Sequence, residues 1–193
     1  VHGLLRNGES AMLKLPQIWE VLDSKGISSG LWGLMNARCG KTEHCRFFLP
    51  DPWTCDSNTF PNYLERFIAL PRYYSKNYLA PSKYEICCKG VKTLSILLHP
   101  RNIIESFFCG LASFKTIINN GINVHSLAIA YDIFSANYFL SYKKRLKPQF
   151  SILFLNLLAH CQHNFWYKEG WHPALKSALS VTDKLLKDNK DEI

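Results

Sequence analysis

The residues best suited to chemistry lie in one stretch, Asn156-Leu157-Leu158-Ala159-His160-Cys161-Gln162-His163-Asn164-Phe165-Trp166. An oxygen donor is followed four residues later by a histidine, and a second histidine comes three residues after that. If a strand end fixes Asn156 and the next turn returns His160, both point at one place. Imidazole suits zinc, and amide or carboxylate oxygen suits zinc, manganese or magnesium. His163 is a further ligand or a contact for a phosphate group. By itself a His-x-x-His pair is a weak signal, since histidine more often caps a helix or meets a polar neighbour. A second cluster, Cys39, His44, Cys45 and Cys55, fits no ligand spacing, and no Cys-x-x-Cys pair occurs.

The elements that must position Asn156 and His160 are legible on either side. Gln149-Phe150-Ser151-Ile152-Leu153-Phe154-Leu155-Asn156 is a near-continuous apolar run after Pro148, the pattern of a buried parallel strand. Ligands of open α/β sheets collect beyond the carboxyl ends of such strands. Near the start, Leu15 to Leu22 opens a short amphipathic helix with Pro16 in its first turn. Gly26 stops it, and Ile27–Leu34 reads as a strand. The expected fold class is therefore α/β, a mainly parallel central sheet flanked by helices, with 27–34 and 151–156 as strands.

Between those strands, residues 36–62 read as a loop rich in Cys, Pro, Asp and Asn, where two prolines around Asp51 forbid helix. Residues 60–147 are expected to be a helical insertion or cap. They comprise a helix from Tyr63 to Leu79 broken at Pro71, helix over 90–120 with a break at His99-Pro100, and a long helix over 123–147. Tyr131, Phe134, Tyr138 and Tyr142 recur on the last at helical spacing, which predicts core packing rather than a cofactor site. A final amphipathic helix is expected from Pro173 to Lys187, with Leu175, Leu179, Leu185 and Leu186 apolar.

The chain has 193 residues, 47% hydrophobic and 20% charged, enough for one domain with a real core and too apolar for disorder. The formal net charge of +8 admits nucleic acid, an anionic membrane or an anionic substrate as partner. The densest basic run, Lys143-Lys144-Arg145-Leu146-Lys147, ends a helical pattern, where cations complement the helix dipole. Charge alone thus supports neither nucleic acid nor membrane binding, and no apolar stretch is long enough to span a bilayer. Arg46, Arg72 and Lys76 are candidates for holding an anionic substrate, against a plainer role as solvated surface. Seven irregularly spaced cysteines favour reduced thiols and a cytoplasmic location; up to three disulfides in an oxidising compartment is the alternative.

Residues 151–160 resemble an element of the alkaline phosphatase superfamily, whose members include type I phosphodiesterases and sulfatases. There a strand ends in aspartate, and a histidine follows after three residues. Both are ligands of one of two catalytic metals. Asn156 stands at the aspartate position and His160 at the histidine. Pro16–Leu22, Gly26 and Gly30-Leu31-Trp32-Gly33 are similar to the family's helix–glycine–strand element. Thr182-Asp183-Lys184-Leu185-Leu186 resembles the helix before its strand ending in Asp-His, a dipeptide this chain lacks. The resemblance implies that residues 1–193 are an internal piece of one alkaline-phosphatase-like domain, with the nucleophile before Val1. It further implies a metal-dependent hydrolase of phosphate or sulfate esters, inactive as this piece alone. Its cofactor would be a divalent metal, zinc first and manganese or magnesium as alternatives. Its substrate would be an anionic small-molecule or glycan ester. The alternative is a non-catalytic α/β binding module, because Asn156 supplies a neutral amide where the family has an acid.

Overall fold

The computed structural model describes residues 15–38, 42–54, 58–77, 79–100, 102–121, 124–156, 173–188 and 190. The chain divides into two compact units. The first holds 1–99 and 143–154, and the second holds 100–142 and 155–193.

The first unit is built on three strands, β1 (Ser29–Leu34), β2 (Cys45–Pro50) and β3 (Phe150–Leu153). They form one all-parallel sheet in the order β2-β1-β3. The parallel α/β architecture expected from the sequence is thus present. β3 starts one residue before the expected strand over 151–156 and ends at Leu153, leaving Phe154–Asn156 beyond the strand. Residues 36–62 are not all loop, because β2 lies inside them. Its apolar Phe47-Phe48-Leu49 is buried between β1 and an antiparallel bridge to Phe60, and that burial outweighs the turn-forming residues on either side.

Both faces of the sheet are covered, as a parallel sheet requires. Leu31 and Phe48 pack with Trp19, Ala37 and Cys45 on the face of α1 (Ile18–Asp23). On the other face Trp32 meets the rings of Phe47 and Phe67 at centroid distances of 6.3 and 5.5 Å. Each of these buried rings is worth roughly 2–3 kcal/mol of transfer free energy. Polar contacts set the strand ends. Asp23 of α1 accepts from the backbone N–H groups of Glu43 and His44 at 3.1 and 2.7 Å, which delivers the chain to β2. Ser28 N–H donates to the Gln149 amide oxygen at 3.0 Å, and Gln149 N–H donates back to the Ser28 hydroxyl at 3.2 Å, which sets β3 beside β1.

A 3-10 turn at Asn62–Leu64 leads into α2 (Glu65–Asn77), which packs against α3 (Lys83–Leu97). α2 runs unbroken through Pro71, contrary to the expected interruption. Its buried face, Phe67, Ile68 and Arg72, holds the helix on both sides of the proline, whose one missing backbone donor is then a local loss. α4 (Ile103–Asn120) and α5 (Val124–Leu146) follow, divided at Gly121 as expected. The last helix, α6, is Pro173–Asp188. In the second unit Cys109, Ile129 and Ile133 form a cluster joined by Ala128, Phe134 and Val181. Tyr138 and Tyr142 are buried, so the aromatic stripe of α5 is packing. Among the described residues no helix is long and apolar enough to cross a membrane.

Candidate functional site

The carboxyl edge of the sheet is formed where β1 and β2 end. Asp51 directly follows β2, and its N–H donates to Leu34 O at 3.1 Å, extending the pairing one residue past the strand. Its side chain folds back to accept the Trp53 N–H at 2.9 Å. Thr54 N–H donates to Asp51 O at 3.0 Å, and the Thr54 hydroxyl accepts the Asn36 N–H at 3.1 Å. From α2, the Ser75 hydroxyl donates to Pro52 O at 2.8 Å. The turn Asp51-Pro52-Trp53-Thr54 is therefore tied to β1, to itself and to α2, and it presents the exposed Trp53 ring at this edge.

Asp51 is almost entirely shielded from solvent, at 1% exposure. Burial pushes its carboxyl up to about 6, against the Trp53 N–H and the positive charge of Arg72, which both pull it down. Arg72 follows Ile68 by four residues on the inner face of α2, so its guanidinium is carried inside by helix periodicity. Nη1 donates to both oxygens of Glu65, at 2.7 and 2.8 Å. Asp51 can thus exchange a proton near neutrality, but its closure from solvent makes it a positioning residue for the Trp53 turn. Nothing in the sequence marked it beyond its two flanking prolines, because burial of a lone acid depends on the far segment that covers it.

Of the residues singled out from sequence, Arg72 is buried and engaged by Glu65. Lys76 lies one helical turn on, exposed at the end of α2. Arg46 is exposed near the amino end of β2, the opposite end from Asp51. Asn156 is partly buried three residues beyond β3. His160 and His163 lie outside the described residues, as do Cys39 and Cys55. Cys45 is buried, with its thiol directed at Phe47 O at 3.5 Å. Among the described residues Cys45, Cys87, Cys88 and Cys109 form no disulfide, and no three His, Cys, Asp or Glu side chains gather as a metal site. The described donors alone therefore do not make a metal centre.

Gly33 closes the edge toward β3. It has φ of 75°, and a Cβ there would collide with the Phe154 carbonyl oxygen. The pairing of β1 with β2 shifts register between Trp32 and Leu34, and Phe154 N–H donates to Trp32 O at 2.9 Å. The chain leaving β3 thus runs tight against β1 before it reaches Asn156. No family model matches the chain, and neither curated proteins nor solved structures yield a match.

Proposed function

We propose that the chain belongs to a metal-dependent hydrolase of phosphate or sulfate esters. The observation supporting this reading is the placement of β3. It lies parallel to β1 and against it, so the segment from Asn156 to His163 departs from the carboxyl end of a parallel sheet, where such folds bind ligands. A divalent metal, zinc first, would act there as a Lewis acid on an ester oxygen. His160 and Asn156 are the ligands, with His163 a third ligand or a substrate contact. The exposed Lys76 at the end of α2 is free to meet an anionic small-molecule or glycan ester, whereas Arg46 stands at the opposite end of β2 from that edge and Arg72 is already engaged by Glu65. A binding module without catalysis is the second reading, favoured by the neutral amide of Asn156.

The experiment compares metal content of the purified chain with that of His160→Ala, after loading with zinc, manganese or magnesium. One metal per chain in the wild type, lost in the variant, is the expected result. Turnover of a phosphodiester, a phosphomonoester and a sulfate ester is then measured on the longest reading frame that contains the chain. Equal metal content in the two proteins overturns the metal site. Metal binding without any turnover establishes the binding module instead.

A further inference from the structure

Helix α4 is amphipathic in the reverse sense of an ordinary surface helix. Its inner face carries small residues: Cys109 and Ser113 are buried, and Ser106 Oγ is 2.7 Å from the Tyr138 hydroxyl. Its outer face carries Ile104, Phe107, Leu111, Phe114 and Ile118, each 54–68% exposed, with Phe108 beside them. A helix in water puts its rings inward, so a face of this composition has a partner.

The spacing and the order of these residues say what that partner is. Steps of three, four, three and four are the a and d positions of a coiled-coil seam. Read from either end, the seam is Ile-Phe-Leu-Phe-Ile. Such a seam is complementary to itself in antiparallel array. A two-fold axis at Leu111 sets Leu111 against its own copy, Ile104 against Ile118 of the second copy, and Phe108 against Phe114, with Phe107 alongside. Gly110 and Ala112 flank Leu111, so the crossing point carries the least bulk; no atom lies within 4 Å of where a Gly110 Cβ would stand. The exposed portion of the six side chains amounts to roughly 700 Å², close to the ~800 Å² per partner of a stable interface. α3 and its C-terminal cap also show an outward stripe, Tyr84, Cys87, Val91, Leu94 and Leu98, but reversed about Val91 it sets Tyr84 against Leu98 and Cys88 against Leu94. Helices that lie on membranes carry a Lys/Arg-rich polar face, and α4 has a single basic residue, Lys115.

We infer that the chain forms a two-fold dimer with a second copy of itself through the outer face of α4. An isologous contact of this kind needs one patch and one axis. Sedimentation equilibrium over the micromolar range tests it, with the wild type, Leu111→Glu and Leu111→Lys. The wild type is dimeric. Each variant alone dissociates at least about a hundredfold more readily, because like charges meet at the axis. Mixing the two restores a dimer, since residue 111 faces residue 111. Unchanged far-ultraviolet circular dichroism shows that the exposed substitutions leave the fold intact. Phe108→Glu mixed with Phe114→Lys also pairs, which fixes the antiparallel sense. A monomeric wild type, dimeric single variants, a mixture that stays monomeric, or binding to anionic vesicles in place of self-association overturns the proposal.

Discussion

The carboxylate of Asp51 accepts the backbone N–H of Trp53, two residues ahead, at 2.9 Å, while almost no solvent reaches either oxygen. An acid buried this way keeps its proton to higher pH than it would in the unfolded chain. Its titration is thereby coupled to folding.

The sign follows from the raised value. Between the unfolded range near 4 and the folded value of about 6, the folded protein binds more protons than the unfolded one. Asp51 therefore costs nothing below about pH 4, and its cost grows as pH rises through 6, levelling at on the order of 2–3 kcal/mol. Asp51→Asn keeps an oxygen for the Trp53 N–H and cannot ionise. The variant is expected to match the wild type within about 1 kcal/mol at pH 4 and exceed it by about 2 kcal/mol at pH 8. Urea denaturation of both proteins at the two pH values checks this. Equal differences at both would show that Asp51 does not titrate in that window.

Arg72 partly compensates the Asp51 charge. Arg72→Met leaves the aliphatic packing of the stem but removes the guanidinium. The Asp51 midpoint then rises further, and stability at pH 8 falls by about 1–3 kcal/mol, with a smaller loss at pH 4. The half-exposed Glu65 moderates the loss, because water can reach the oxygens that Arg72 leaves. Carboxyl chemical shifts followed by nuclear magnetic resonance against pH give the midpoint directly.

Two glycines with nearly the same φ separate strain from crowding. Gly26 has φ of 72° with open space around a Cβ position, and Gly33 has φ of 75° with the Phe154 carbonyl in the way. Gly26→Ala is expected to cost about 1 kcal/mol, the left-handed backbone alone. Gly33→Ala is expected to cost about 3 kcal/mol or more, because the chain leaving β3 at Phe154 must also move. Denaturation midpoints of the two variants settle the ranking, and equal losses would place no collision at Gly33.

Asn156→Asp replaces a neutral oxygen donor with a charged one. On the proposed hydrolase reading, zinc affinity rises by about tenfold or more, since carboxylate is the stronger ligand. Competition with a chelator of known strength measures it. Unchanged affinity would remove Asn156 from the ligand set.

Much of this frame was legible in sequence, for reasons that differ by element. The apolar run over Gln149–Asn156 and the step from Gly26 into Ile27–Leu34 are local patterns, and strands emerged inside both, at Phe150–Leu153 and Ser29–Leu34. Cys45–Pro50 is as apolar as β3 at Phe47-Phe48-Leu49, but prolines, cysteines and asparagines around it carry the signature of a loop. Its burial by Phe60 and β1 is a tertiary fact. Pro71 misled for a similar reason: a local rule against helix was overridden by the buried face of α2. The burial of Asp51 and Arg72 follows from packing between distant segments and has no local signature. The Asn156–His160 spacing was the clearest chemical signal in the chain, and only Asn156 falls within the described residues.

The order β2-β1-β3 also sets a timetable. Ser28 and Gln149, which lock β3 to β1, stand 121 residues apart in the chain. As the polypeptide emerges, β1 and β2 can pair early, yet the open side of β1 must wait until the chain has run from Pro50 to Phe150. Through that interval Leu31 and Trp32 sit on an unpaired edge, the kind of surface that invites adventitious strands. Late closure across so long a loop makes assembly of the sheet slow relative to its helices. Substitutions at Ser28 or Gln149 would be felt in the yield of correctly folded chains before they were felt in the finished structure.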